Sequence, residues 1–177
     1  MRSVRVINVN RIYLLLLVLI SSVALASEPY AEVREHINTA LDSGNMEHDS
    51  WYKAAELLKE PLSQNASWAK FYAAYLYAFG TGGFPNDHDK ADELETAAAT
   101  EGFLPAMVAQ ARRNEYGLSG TIDLALAYSW YEKAALAGSR SAAARLEEAY
   151  VKGELEVEAD PEAAAKWKAI KGKCKSP

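Results

Sequence analysis

The chain has 177 residues, half of them hydrophobic, with 19 Lys and Arg against 24 Asp and Glu and a single cysteine. A net charge of −5 argues against a nucleic-acid-binding surface, and one cysteine excludes an intramolecular disulfide framework. The length suits one domain with a continuous core.

The first 26 residues read as a secretory signal rather than as part of the fold. Arg2, Arg5 and Arg11 form a basic start, Ile12–Ile20 is an apolar run, and Ala24-Leu25-Ala26 is an A-x-A cleavage sequence. The run is short for a membrane span, which needs about 20 apolar residues. The residue directly after the cleavage site is Ser27, not cysteine, which argues against a lipid anchor. Cleavage after Ala26 removes three arginines and no acids, so the net charge deepens from −5 to −8. The expected location is periplasmic or secreted.

Pro29–Ser43 reads as the first helix, with Val33, Ile37 and Leu41 as its buried side and Gly44-Asn45 as its stop. Asp49 or Ser50 is expected to cap a helix over Trp51–Glu60, which Pro61 should end by disfavouring helical backbone at the residue before it. Ala66–Phe79 is apolar on more than one face. Ala69, Ala73, Leu76 and Tyr77 form one side, whereas Trp68, Phe71, Tyr72, Tyr75 and Phe79 cluster roughly opposite.

Further along, Ala127, Trp130, Tyr131, Ala134, Ala135 and Gly138 fall on one helical face. Asp123 stands ahead of this stripe as an N-cap and Gly138 closes it. Asp160-Pro161-Glu162 combines a cap, a proline at the first helical position and a first-turn acid.

The same register recurs. Ala54, Ala91, Ala127 and Ala164 lie 37, 36 and 37 positions apart, and Leu57, Leu94, Trp130 and Trp167 follow in step. Ala69, Ala106 and Ala142 repeat in the preceding helices, as do Gly80, Gly117 and Gly153 in the loops and Asp87, Asp123 and Asp160 at the second-helix starts. Alanine at matched sites lets helices approach closely, and the larger residue three positions on fills the space between hairpins. A period of this length marks a solenoid, in which no unit can bury its apolar face alone. The expected fold is all-α: an α-solenoid of three to four antiparallel helical hairpins over residues 27–172, with a basic tail at 173–177.

Two segments carry a resemblance. Ala69, Ala73, Ala74, Tyr77, Gly80 and Gly82, then Phe84-Pro85-x-Asp87 and Ala91, form one pattern. Gly102, Ala106, Gly117, Asp123, Ala127, Trp130-Tyr131, Lys133-Ala134-Ala135 and Gly138 form the other. Both resemble the Sel-one-like repeat (SLR), a relative of the tetratricopeptide repeat, and the match extends from about Pro29 to Gly172. It departs at Asn114, where the pattern has tyrosine, at Gly83, which reads as an insertion, and in the longer loop after Gly153. The first unit matches mainly in its second helix. Some secreted relatives staple each hairpin with paired cysteines; this chain has none to pair.

In tetratricopeptide-like solenoids the first helix of each unit lines the concave surface. At the positions of the Ala66–Phe79 aromatics, the first unit has Arg34, Glu35, Asn38 and Asp42 and the last has Arg145, Glu148 and Lys152, all expected in solvent. The third unit has Val108, Arg112 and Tyr116. This points to a partner-binding groove built from Trp68, Tyr72, Tyr75, Phe79, Arg112 and Tyr116, because aromatic and arginine side chains dominate binding hot spots. The competing reading packs the aromatics against the first unit as ordinary core.

Catalytic motifs are weak. Ser50-x-x-Lys53 and Ser67-x-x-Lys70 fit the S-x-x-K nucleophile pattern, but its S-D-N and K-T-G partners are missing and both serines stand where helix caps belong. His36, His48 and His88 are too scattered for a metal pair. Glu154, Glu156, Glu158 and Asp160 alternate without the ligand order of a calcium loop. Cys174 reads as a free thiol near the terminus, with an intermolecular bridge as the alternative. Asn65-Ala66-Ser67 is a glycosylation sequon by pattern.

No catalytic residue, metal or cofactor is expected. Taken with the resemblance, these features imply an exported scaffold or adaptor that binds a protein or peptide in the cell envelope. A peptidoglycan- or polysaccharide-binding or β-lactam-processing protein, and a secreted host-interaction factor, are the alternatives.

Overall fold

Helix starts and stops recur with the sequence period, and they define the architecture. The computed structural model describes residues 30–118 and 120–174, so the secretion signal read at 1–26 lies outside the described residues. Within them the helices are α1 (Ala31–Ser43), α2 (Asp49–Ser63), α3 (Ser67–Phe79), α4 (His88–Thr100), α5 (Leu104–Tyr116), α6 (Leu124–Leu136), α7 (Arg140–Lys152) and α8 (Pro161–Lys173). No strand occurs among the described residues. Each helix packs chiefly on its chain neighbours, so α1–α2, α3–α4, α5–α6 and α7–α8 stack as four hairpins.

One set of hydrogen bonds closes each of the last three hairpins. The first helix ends on Gly80, Gly117 or Gly153, whose left-handed backbone directs its N–H to Leu76, Arg113 or Ala149. The cap aspartate then turns its own N–H back to a first-helix carbonyl: Asp87 to Tyr77 at 2.9 Å, Asp123 to Asn114 at 2.9 Å and Asp160 to Tyr150 at 2.8 Å. Its carboxylate accepts from the first turn of the second helix, at Lys90, Leu126, or Glu162 and Ala163. Because the tie uses backbone, it forms at Asn114 as it does at Tyr77 and Tyr150.

The repeated alanines are buried throughout, at Ala69, Ala106 and Ala142 in first helices and Ala54, Ala91, Ala127 and Ala164 in second helices. The first unit is a complete hairpin, with Val33, Ile37 and Ala40 buried where α3 buries Ala69, Ala73 and Leu76. That alignment steps by 36, so the first-helix positions matching Tyr75 and Phe79 are Thr39 and Ser43, one residue beyond those read from the sequence. Leu41, expected inside, is 39% exposed, because Ala40 takes the inward position.

Other boundaries differ locally. The α2 cap is His48, whose Nδ1 accepts from the Ser50 N–H at 3.1 Å, in place of Asp49 or Ser50. Pro61 lies inside the last turn of α2, and the chain turns at Asn65, with φ 59°. Asn65 thus does what Gly102 and Gly138 do in later units, 37 and then 36 residues on. The α6 cap is Ala137, one residue before Gly138. Lys173, expected at the start of the tail, belongs with Lys171 to the last turn of α8.

Candidate functional site

The apolar core forms two bodies. One spans α1 to α4 and the start of α5; the other spans the rest of α5 through α8, with Met107 and Trp130 touching both. The division has a cause in the repeat register. At the first-helix position occupied by buried Ile37, Ala73 and Leu146 stands Gln110, and at the position of buried Ala40, Leu76 and Ala149 stands Arg113. At the second-helix position of buried Leu58 and Tyr131 stands Glu95, while the last unit has exposed Lys168 there. Three core positions are therefore polar at one junction, between α4 and α5.

These groups satisfy one another. Gln110 Nε2 donates to Glu95 Oε1 at 3.0 Å and to Thr96 Oγ1 at 3.3 Å. Arg113 bridges Asp92 and, at 3.3 Å, Glu95. Burial pushes the Glu95 carboxyl above the usual carboxylate range, and Arg113 and Gln110 pull it back only in part. Such a seam costs stability relative to an apolar one. Local rule-breaking of this kind concentrates at functional sites.

The seam underlies a cleft of about 570 Å³. Phe71, Tyr75 and Phe79 of α3 form one wall, Pro105, Val108 and Arg112 of α5 the other, and His88, Asp92 and Glu95 of α4 lie between, with Leu118 at one end. Phe79 packs at a tilt, 5.9 Å from fully buried Trp51. Burial raises the Tyr75 phenol above its ordinary pKa, Glu95 adds to this, and Arg112 opposes it. Arg112 is exposed and forms no ion pair among the described residues.

The structure divides the six groove residues read from the sequence. Tyr75, Phe79 and Arg112 line the cleft together. Tyr72 is buried and Trp68 half-buried behind the cleft wall, in an aromatic cluster joined to it through Phe71, where Tyr30 lies 5.8 Å from Tyr72, 6.2 Å from Trp68 and 5.2 Å from Phe103. Tyr72 packs as core and Trp68 partly so, because Tyr30 at the head of α1 lies against both. Tyr116, one turn past Arg112, is 61% exposed and does not line the cleft. Arg145, expected in solvent, is partly buried and paired with Glu115 at 2.6 Å and Glu154 at 2.8 Å.

Other sequence candidates are accounted for by local partners. Lys70 is buried and its ammonium pairs with Glu101. Ser50 is buried beside its His48 cap, and Lys53 is exposed. No group of three His, Cys, Asp or Glu side chains among the described residues could hold a metal ion. In the acidic loop, Leu155 turns inward to a buried position and Glu154 pairs with Arg145. Cys174 Sγ donates to the Ile170 carbonyl at 3.4 Å. No described helix is long and apolar enough to cross a membrane.

Sequence reasoning missed Asp92, Glu95, Gln110 and Arg113. The signal for Gln110 and Arg113 was present, a glutamine and an arginine at first-helix positions that the other units fill with Ile, Leu or Ala; that for Glu95, whose counterparts are Leu58, Tyr131 and Lys168, was weaker. Reading the first-helix solvent face alone passed over it.

No family model matches the chain, and no curated protein matches it. Solved structures do. A Sel1 repeat protein from Oxalobacter formigenes superposes with a TM-score of 0.59 and 28% identity, over 65% of this chain and 85% of that one. A protective antigen present in uropathogenic Escherichia coli strains, displaying an SLR fold, superposes with a TM-score of 0.61 and 21% identity over 88% of this chain. Only 32% of that antigen is covered, so the chain spans about a third of its length. The four stacked hairpins, their glycine and aspartate closures and these superpositions together give the chain the all-α solenoid fold of SLR proteins.

Proposed function

We propose that this chain is an exported repeat scaffold that binds a protein or peptide partner of the cell envelope in the cleft between α3 and α5. The observation that carries the reading is the polar seam. Two first-helix positions that every other unit keeps apolar are given to Gln110 and Arg113, and they meet Glu95, at the position where Leu58 and Tyr131 are buried, beneath an open, aromatic-walled cleft. A helix-lined groove suits an extended or helical segment, and the Tyr75, Phe79 and Arg112 side chains are of the hot-spot type.

Export rests on Arg2, Arg5, Arg11, the Ile12–Ile20 run and Ala24-Leu25-Ala26. Fractionation of expressing cells, with mass measurement of the product, tests it: a species starting at Ser27 in the periplasm or medium supports export, and an uncleaved cytoplasmic chain overturns it.

Binding is tested by capture from envelope extract with the parent beside Arg112→Glu and Phe79→Ala variants. Arg112 is exposed and Phe79 is 40% exposed, so helical circular dichroism should be unchanged and melting lowered only modestly, by Phe79→Ala through its lost contact with Trp51. A partner held by the parent and lost by both variants supports the reading; a partner held equally by all three overturns the cleft as its site.

A further inference from the structure

The geometry points to a specific ligand chemistry for this cleft: an extended peptide whose aspartate or glutamate side chain is held by Arg112 while a neighbouring apolar side chain lies on Tyr75 and Phe79. The inference rests on the scaffold reading and goes beyond it by naming what is recognised.

The argument is one of charge and of what is already engaged. Four charged side chains line the cleft: Asp92, Glu95, Arg112 and Arg113. The two carboxylates are engaged below by Arg113, and Glu95 also by Gln110. Arg112 stands outside this network, exposed, with no ion pair among the described residues. An arginine fork matches a carboxylate through two parallel hydrogen bonds. The walls beside it are apolar: Phe71, Tyr75 and Phe79 across the cleft, Val108 one turn back on α5, and Leu118 at the end.

Peptide is favoured over glycan for the same reason. Sugar hydroxyls need several free acceptors as well as an aromatic face, and Glu95 and the Oδ1 atom of Asp92 already serve the seam. Reach also fits. Helices flanking an open cleft stand at or beyond the ~8–10 Å of a packed pair, which extended chain at about 3.3 Å per residue spans in three or four residues. The apolar and acidic side chains should therefore be about three or four positions apart.

The test is selection of a displayed random-peptide library on the purified chain, followed by fluorescence anisotropy with acetylated, amidated peptides of the selected sequence. The expected result is enrichment of an acidic residue three or four positions from an aliphatic or aromatic one. Replacing that acid by its amide, or changing Arg112→Gln in the protein, should weaken binding about tenfold or more. Arg112→Lys should recover part of it. Selection of nothing, selection without an acidic residue, equal binding by Arg112→Gln, or displacement of the peptide by soluble peptidoglycan glycan strands would overturn the proposal. The scaffold reading falls separately, if the envelope partner is held equally by the Arg112→Glu and Phe79→Ala variants.

Discussion

Gln110 donates to Glu95 at 3.0 Å across the α4–α5 junction, from a register position where Ile37, Ala73 and Leu146 are buried hydrocarbon. The pair converts one layer of a repeating apolar core into a hydrogen-bonded seam, with Arg113 as its cation. Breaking such a seam and replacing it should have opposite effects. Arg113→Leu alone leaves Glu95 without its ion pair and should destabilise by about 2–4 kcal/mol. The triple variant Glu95→Leu/Gln110→Leu/Arg113→Leu restores the repeat register, and its stability should match or exceed the parent's, by up to about 4 kcal/mol. Urea unfolding of both variants checks this; equal loss in the two would refute it.

Glu95 also predicts a pH dependence. Its folded-state pKa is raised, chiefly by burial, so the folded state holds its proton more tightly than the unfolded chain does. The stability it contributes is complete below the ordinary carboxylate pKa and is lost as pH rises through the raised folded value. Glu95→Gln keeps the shape and removes the charge. Its stability relative to the parent should therefore be greatest near neutral pH and shrink as pH falls toward the carboxylate range. Unfolding midpoints of the two chains, compared from neutral pH downward, test the sign.

A second buried carboxylate ties the last two hairpins together. Glu115 accepts from the Tyr131 hydroxyl at 2.6 Å and from Arg145 Nε at 2.8 Å. Glu115→Ala should cost about 2–3 kcal/mol, because it leaves both donors partly buried and short of a partner, although Arg145 keeps Glu154. The Tyr131 phenol is raised well above its ordinary pKa, first by burial and then by its hydrogen bond to Glu115. That contribution is complete below about pH 10 and is lost as pH climbs through the folded value. Tyr131→Phe should flatten the alkaline fall in melting temperature; an unchanged slope would remove Tyr131 as its source.

Close approach between hairpins gives a further test. Gly82 has φ +61°, and a Cβ there would lie 2.6 Å from the Trp51 carbonyl oxygen of α2. Gly82→Ala therefore combines backbone strain with a backbone clash and should destabilise by about 1–3 kcal/mol. Gly83 also has positive φ, but a Cβ there would meet open space, so Gly83→Ala should cost less. Thermal melts of the two variants decide it.

Overpacking is expected at the repeated alanine. Ala127 is fully buried between helices, and Ala127→Leu should cost about 1–3 kcal/mol. Denaturant unfolding with an unchanged midpoint would show that the junction has room to spare.

The period, the caps and the alanine sites were legible because each is local. An aspartate caps the helix that follows it, a glycine ends the helix that precedes it, and a 36- or 37-residue step places both without knowledge of any contact. The aromatics of α3 were legible only as a set. Whether Tyr72 or Tyr75 faced a partner depended on Tyr30, which packs on Tyr72 at 5.8 Å from more than 40 positions away. The His48 cap was missed because imidazole is an uncommon acceptor at a site where Asp49 and Ser50 both stood available.

By itself the sequence determined an all-helical chain of repeated hairpins, since helical periodicity and end signals act within one or two turns and the repeat multiplies them. Tertiary structure decided where the core breaks. Glu95, Gln110 and Arg113 become one seam only when α4 packs on α5 and brings residues 15 and 18 positions apart into hydrogen-bonding range, in a setting too dry to leave any of them unpaired. The same packing leaves Arg112, the next residue along, facing an open aromatic cleft, because adjacent residues on a helix point about 100° apart.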